Sequence, residues 1–166
     1  MQSDELFSDV LAANEAYSVG FEHAELRGHA AKGLAVLTCM DSRIVPLETL
    51  GLVAGDAKIL RNAGARVTDD VLRTLVLATY LLGVHRVMVI AHTRCRMAGI
   101  AEADVHAAIQ SAGGPDTRSI SFLTTDDQEG ALRADVQRIR SWPYLPNVTT
   151  GGFIYDLASG RLRQVC

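Results

Sequence analysis

The chain is poor in cysteine. Its 166 residues include only three, at Cys39, Cys95 and Cys166. A small secreted protein stapled by disulfides would carry a larger and even-numbered set, so this count argues against a disulfide framework. Metal binding, catalysis and core packing are the uses that remain. Cys166 is the last residue, and we interpret it as an ordinary thiol at a frayed end.

The sequence also lacks a long apolar segment and a block of like charge. Its longest apolar stretch, residues 71–84, is interrupted by Arg73, Thr74 and Thr79 and is too short to span a bilayer. The net charge is −3 and no basic tract is present, so nothing favours nucleic-acid binding. The acidic first ten residues do not resemble a signal peptide. We therefore expect a cytoplasmic protein that binds neither membranes nor nucleic acid.

Strand and helix patterns alternate along the chain, which predicts an α/β fold with a mainly parallel central sheet flanked by helices. Short apolar runs typical of buried parallel strands occur at residues 34–38, 57–61 and 86–91. Helical patterns occur at residues 68–83, 97–109 and 125–139, the first with Thr68 as its N-cap and the last with Thr125 and Gln128 as a capping-box pair. Residues 151–165 are typical of a short strand pair with a Ser-Gly turn.

The first 33 residues are predicted to form a helix and a connecting arm. Residues 3–19 carry an apolar stripe, whose members are Leu6, Val10 and Tyr17. Residues 21–33 show no clear period. We interpret residues 1–166 as a single domain that carries this N-terminal arm.

Unusual polar residues follow each of the three predicted strands. Ligands of parallel sheets bind at the carboxyl ends of the strands, so these residues are expected to share one edge. They are Cys39, Asp41 and Arg43 after the first strand, residues 61–64 after the second, and His92 and Cys95 after the third.

Cys39, His92 and Cys95 are candidate metal ligands. Two thiolates and one imidazole form a nitrogen–sulfur set that suits tetrahedral zinc, and three protein ligands leave the fourth position open. Taken singly, each cysteine is more often a core residue. Their joint occurrence at successive strand ends favours a metal site.

Asp41 is a candidate fourth ligand, because it lies two residues after Cys39. Arg43 can instead pair with the same carboxylate through two hydrogen bonds. If the Asp41 carboxylate binds zinc, the site is closed. If the carboxylate pairs with Arg43 instead, a water molecule can bind zinc, and the pKa of that water falls from ~15.7 to ~7. The histidines without ligand spacing are interpreted as structural or solvated: His23, His29, His85 and His106.

These segments resemble the β-class carbonic anhydrases of the short bacterial type. "CMDSR" (39–43) is similar to the C-x-D-x-R segment of that family, and "HTRC" (92–95) is similar to its H-x-x-C segment. "RNAG" (61–64) resembles the end of its second strand. The similarity extends to the N-terminal "ANEAYSVGF" and the C-terminal "GGFIYDLASGRL", so it covers nearly the whole chain.

The resemblance implies one zinc ion per chain, held by Cys39, His92 and Cys95. Asp41 would switch between the metal and Arg43. A zinc-bound hydroxide would attack carbon dioxide and release bicarbonate. The resemblance also implies a homodimer or a multiple of dimers, with the N-terminal helix on the partner.

Arg96 departs from the family pattern, which usually has glycine directly after the second zinc cysteine. The arginine could narrow the entrance of the site, or its guanidinium could face an anion such as bicarbonate. We assign Arg96, Asn62 and Gly64 to the substrate-binding residues.

Other functions remain open at this stage. Hydrolysis of carbonyl sulfide or carbon disulfide also begins with attack on a linear, electrophilic carbon, and relatives of this fold perform it. A zinc-binding homologue with little turnover is another possibility, because Arg96 replaces the usual glycine. A nucleotide-binding domain is the least favoured, since no G-x-G-x-x-G motif or P-loop lysine follows the first strand.

Overall fold

The computed structural model describes residues 6–166. Its strands are β1 (Leu34–Cys39), β2 (Ala57–Asn62), β3 (Arg86–His92), β4 (Thr149–Asp156) and β5 (Arg161–Gln164). Within the described range they form one five-stranded sheet in the order β2-β1-β3-β4-β5. The first four strands run parallel, and β5 is antiparallel to β4. The predicted α/β fold and its C-terminal strand pair are confirmed.

The α-helices of the described chain flank this sheet. They are α1 (Ser8–Ser18), α2 (Pro46–Thr49), α3 (Asp69–Leu81), α4 (Glu102–Ser111) and α5 (Gln128–Arg140). α3 begins as predicted, because the Thr68 side chain accepts a hydrogen bond from the Val71 amide. Its predicted C-terminal stop, Gly83, has a φ of +76°, a conformation that favours glycine.

The two faces of the sheet are covered unequally. On one face, α3 and α5 pack against alternate strand residues such as Leu37 and Val89, and this cluster contains most of the buried core. The other face is covered by α2 and the segment after it, through half-buried residues such as Leu50 and Leu52. Burial of these apolar side chains is the largest favourable contribution to the free energy of folding.

The predicted helix at 97–109 is wrong in its first turn. α4 begins only at Glu102, because the preceding segment pairs with another part of the chain. Ala98 forms an isolated parallel bridge with Thr125, and the Gly99 amide donates to the Thr125 carbonyl at 2.8 Å. A backbone that makes these hydrogen bonds cannot also make helical ones.

The predicted capping box of α5 is also wrong. The N-cap is Asp127, whose carboxylate accepts a hydrogen bond from the Gly130 amide. The Thr125 hydroxyl accepts from the Asp127 amide instead, and Gln128 reaches a different part of the molecule.

The N-terminal segment stands apart from the core. α1 matches the predicted helix from residue 8 onward, while residues 3–5 of that prediction lie outside the described residues. All described residues of α1 are exposed, including its apolar stripe. No helix among residues 6–166 has the length and apolar character needed to cross a membrane.

The C-terminal residue is not frayed, contrary to our expectation. The Cys166 carbonyl accepts a hydrogen bond from the Gly152 amide at 2.8 Å, and Cys166 packs against the main core. The residue is therefore an ordered extension of the β5 edge.

Candidate metal centre

Cys39, His92 and Cys95 meet at one edge of the sheet. β1 and β3 are direct neighbours in register, with Thr38 opposite Ile90, so Cys39 and His92 leave the sheet side by side. The two sulfur atoms and an imidazole nitrogen lie within 4.8 Å of one another, and all three residues are buried. The structure thus brings together the three residues that the sequence proposed as ligands.

His92 is held in the orientation of a metal ligand. Its Nδ1 lies 2.9 Å from the Thr93 carbonyl oxygen, which can only accept, so Nδ1 carries the proton and Nε2 has a free lone pair. Nε2 is buried and has no hydrogen-bond partner among the described residues. A buried nitrogen without a partner is costly, and a metal ion bound to it would remove that cost.

The two cysteine sulfurs influence each other's protonation. Interaction with the Cys95 thiol lowers the pKa of Cys39, and the same interaction raises the pKa of Cys95. The Gly64 amide also donates to the Cys39 sulfur at 3.4 Å. One thiolate is therefore already favoured, and a divalent cation would displace the second proton. The donor set of two sulfurs and one nitrogen fits zinc.

Asp41 is paired with Arg43 at the rim of this cluster. The Arg43 Nε and Nη2 atoms donate to the two carboxylate oxygens at 2.9 Å and 2.6 Å. The hydrogen bonds from the Arg43 side chain, and then from its backbone amide, hold the pKa of Asp41 well below its usual range. Asp41 Oδ2 lies 3.8 Å from His92 Nε2, so the carboxylate is adjacent to the three clustered ligands while bound to arginine.

Arg61 fixes the turn that contains Cys39 and Asp41. Its Nε donates to the Cys39 carbonyl at 3.0 Å, and its Nη2 donates to the Asp41 carbonyl at 2.6 Å. The sequence placed Arg61 at this edge without giving it a role. Its partners are backbone carbonyls, which leave no signal in the sequence.

Asn62 and Gly64 brace the neighbouring turn. The Asn62 side-chain oxygen accepts a hydrogen bond from the Arg66 backbone amide at 2.8 Å, and the Asn62 side-chain nitrogen donates to the Arg66 carbonyl at 2.7 Å. Gly64 has a φ of +79°, and a Cβ there would lie 3.2 Å from the Met97 side chain. Both residues thus have a structural role, and contact with substrate stays a prediction for them.

The turn from His92 to Cys95 is held from two sides. The Gln128 side chain donates to the His92 carbonyl at 3.0 Å. The Thr93 hydroxyl donates to Asp156 at 3.1 Å and accepts from the Leu157 amide at 3.0 Å. Sequence reasoning missed these supports, and it had assigned Gln128 to helix capping.

The cluster opens into a cleft with a volume of about 490 Å³. Asp41, Arg43 and Arg96 line it together with the two cysteines. Arg96 is exposed, and no carboxylate within the described chain forms an ion pair with it. The cleft is large enough for a small neutral substrate and for an anionic product.

Comparison with known proteins places these features in a family. The sequence model of the carbonic anhydrase family matches residues 34–141, a range that includes Cys39, His92 and Cys95. β-Carbonic anhydrase 1 of Mycobacterium tuberculosis is 35% identical over 160 residues, covering 95% of this chain and 96% of that protein. A carbon disulfide hydrolase of Saccharolobus solfataricus is 31% identical over 155 residues, covering 79% and 76%.

A solved structure is similar over the whole chain. The crystal structure of a carbonic anhydrase from Streptococcus mutans superposes with a TM-score of 0.90 at 35% sequence identity. The match covers 100% of this chain and 99% of that one. The similarity therefore includes the N-terminal segment and the C-terminal strand pair as well as the cleft.

Proposed function

The chain belongs to the β-carbonic anhydrase family, whose members are carbonate dehydratases, and from this premise we propose that it catalyses the zinc-dependent, reversible hydration of carbon dioxide to bicarbonate. The observation that carries the proposal is the buried cluster of Cys39, His92 and Cys95 beside the Asp41–Arg43 pair. A merely structural metal site would need no paired carboxylate at the mouth of an open cleft.

Cys39, His92 and Cys95 would hold one zinc ion per chain. Bound zinc would supply a water molecule that ionises near neutral pH, which is the nucleophile that carbon dioxide requires. The Gly64 amide supports the Cys39 sulfur, and the Thr93 carbonyl fixes the His92 tautomer. These contacts hold the ligands in place before the metal arrives.

Asp41 and Arg43 would position the nucleophile. Because Arg43 holds the pKa of Asp41 low, the carboxylate stays ionised and can accept a hydrogen bond from the nucleophile. The same two hydrogen bonds keep the carboxylate off the ligand cluster, so that one coordination position stays free. In this proposal Arg43 acts through Asp41, and Asp41 acts on the reacting atoms.

Arg96 would meet the anion. Bicarbonate is charged whereas carbon dioxide is not, so a cation on the cleft wall that has no ion-pair partner among residues 6–166 acts mainly on the product. A long side chain at this position also takes up space in the cleft. Whether attraction or bulk dominates decides whether an Arg96 substitution lowers or raises the rate of hydration.

Hydrolysis of carbon disulfide is a second candidate, supported by the 31% identity to a carbon disulfide hydrolase. Two waters would convert carbon disulfide to carbon dioxide and two molecules of hydrogen sulfide. The attack on a linear carbon would use the same residues, so the shape of the cleft and its access would set the choice of substrate.

Stopped-flow measurement of carbon dioxide hydration by the zinc-loaded protein tests the proposal. We expect rapid hydration with a kcat/KM in the enzymatic range of about 10⁴–10⁸ M⁻¹s⁻¹. Parallel assay of hydrogen sulfide release from carbon disulfide tests the second candidate. Stoichiometric zinc with neither activity would identify a zinc-binding homologue that has lost turnover, and both enzymatic proposals would fail.

We also propose a homodimer or a multiple of dimers. The described residues of α1 bury no side chain, yet Phe7, Val10 and Leu11 are large, apolar and exposed. Leu77 and Tyr80 on α3 form a second exposed apolar area. Surfaces of this kind on a folded protein are typical of subunit interfaces.

Light scattering at micromolar concentration tests the assembly. At least twice the chain mass is expected, and Val10→Glu should lower that mass. Ala12→Glu adds the same charge to an exposed residue on the opposite face of this helix and should leave the mass unchanged. A wild-type monomer would contradict the proposal.

A further inference from the structure

A second cavity adjoins the metal cleft and has a different character. It is a groove of about 290 Å³ between the 96–100 segment and α4. Apart from Arg96, every residue that lines it is apolar, including Ile100, Val105 and Ile109. Arg96 and Met97 line both the groove and the metal cleft, so the two cavities meet at these residues.

The groove exists because α4 packs loosely. None of the described residues of α4 is fully buried, and Val105 and Ile109 are only half-buried. The 97–101 segment pairs with Thr125 instead of continuing the helix, which leaves a gap beside the apolar side of α4. An apolar surface of this kind favours an apolar occupant.

The charges restrict the kind of occupant. Arg43, Arg66 and Arg118 each pair with an aspartate, whereas no ion pair or hydrogen bond of the Arg96 side chain occurs within residues 6–166. No acidic side chain from the described part of the chain lines the groove. A guanidinium forms two parallel hydrogen bonds with a carboxylate, so the head of the groove fits a single carboxylate.

We propose that this groove binds an aliphatic monocarboxylate, with its carboxylate on Arg96 and its alkyl chain along α4. The volume is at the lower end for small-molecule sites, which suits one short chain. Because Arg96 also lines the metal cleft, a bound carboxylate would narrow the mouth of that cleft.

Calorimetric titration of the zinc-loaded protein with butyrate, hexanoate and octanoate tests the proposal. Each added methylene should tighten binding by about fourfold until the groove is filled. Octanol carries the same chain without the charge and should bind at least about tenfold more weakly than octanoate. Binding that is independent of chain length, or equal binding of octanol, would overturn the proposal.

Two variants locate the site. Arg96→Gln should weaken octanoate by at least about tenfold while the affinity for octanol stays the same. Ala108→Asp puts a carboxylate on the groove wall and should weaken octanoate. Ala107→Asp adds the same charge at an exposed neighbour that lines a different cavity, and should bind octanoate as the wild type does. Equal effects of the two aspartates would contradict the assignment.

Cobalt substitution separates this site from the metal. A carboxylate that binds the metal would change the visible spectrum of the cobalt protein, whereas one in the groove leaves it unchanged. Light scattering of the Ala108→Asp variant identifies the remaining alternative. If octanoate does not bind and this variant alone loses subunits, the groove is an interface between copies of the chain and the proposal is wrong. Binding needs no turnover, so a failed hydration assay leaves this test intact.

Discussion

The two turns that form the candidate metal centre are built differently. The turn after β1 contains Cys39 and is held by two arginines, with Arg61 on its carbonyls and Arg43 on the Asp41 carboxylate. The turn after β3 contains His92 and Cys95 and is held by the side chains of Gln128 and Asp156. It supplies two of the three candidate ligands.

This difference suggests that one turn mainly holds the metal and the other mainly supports turnover. The turn after β3 is anchored by side-chain hydrogen bonds to α5 and to the end of β4, which suits ligands that must not move. In the turn after β1, the Asp41 carboxylate could exchange the hydrogen bonds from the Arg43 side chain and backbone amide for a metal while both Arg61 contacts stay in place. We therefore expect damage to the turn after β3 to lower zinc affinity, and damage to the Asp41–Arg43 pair to lower turnover.

Removing a ligand from the turn after β3 should have the largest effect. Cys95→Ser replaces a soft sulfur ligand with a hydroxyl, so zinc affinity should fall by more than about 100-fold and hydration should fall with it. Zinc content after dialysis against a chelator measures the loss. Cys166→Ser removes a thiol away from the cluster and should keep its zinc. Full zinc retention in both Cys95→Ser and Cys39→Ser would refute the ligand assignment.

Breaking the Asp41–Arg43 pair should abolish turnover and spare the metal. In Arg43→Ala the freed carboxylate can bind zinc and close the site, and Asp41→Asn loses the ionised acceptor. We expect hydration to fall by about 10²–10⁴-fold in each variant with zinc content unchanged. Stopped-flow assays and metal analysis of the same samples check this.

The chain provides a matched control for this pair. Asp116 and Arg118 have the same spacing and the same 2.9 Å and 2.6 Å hydrogen bonds as Asp41 and Arg43, but lie outside the metal cleft. Arg118→Ala should therefore leave hydration unchanged. An equal loss of activity in Arg118→Ala would show that breaking such a pair acts through folding and not through the site.

Loss of a support behind His92 should have an intermediate effect. Gln128→Met keeps the size of the side chain and removes the donor to the His92 carbonyl. Zinc should dissociate about tenfold faster, as measured with a chromogenic chelator, and the spectrum of the cobalt protein should shift. Gln137→Met changes an exposed residue of the same helix and should do neither. An unchanged zinc release rate in folded Gln128→Met would mean that this contact does not position the ligand.

The smallest effect is expected at the rim. Arg96→Gly restores the residue usual in the family and removes bulk from the cleft mouth, so hydration should rise severalfold at unchanged zinc content. Arg94→Ala removes a neighbouring exposed charge and serves as the control. A lower rate in Arg96→Gly alone would identify the guanidinium as a productive anion contact and reverse our interpretation of its bulk.

The sequence was sufficient to predict the sheet and the meeting of Cys39, His92 and Cys95 at one of its edges. Short apolar runs mark the parallel strands, and the rule that ligands gather at their carboxyl ends placed Cys39, His92 and Cys95 together. The supports could not be predicted in the same way. Arg61 and Gln128 donate to backbone carbonyls, and every residue has a carbonyl, so only the folded chain selects the partner.

Two local patterns were overridden by tertiary contacts. The 97–109 pattern looked helical throughout, but pairing of Ala98 with Thr125 delays the start of α4. The same contact removes Thr125 from the capping role that its spacing with Gln128 predicted. The late start of α4 also leaves the groove beside Arg96. The part of the helix that was predicted wrongly is therefore the part next to the proposed ligand site.

The register of β1 against β3 also bears on how the protein folds. Cys39 and His92 are far apart along the chain and become neighbours only when these two parallel strands pair, with the β2 and α3 segments between them. Closing so long a loop costs entropy before the contacts repay it, and such pairing is slow. A metal held by these residues would therefore be captured after this step, and the uptake of added zinc during refolding would report the moment at which the centre of the sheet forms.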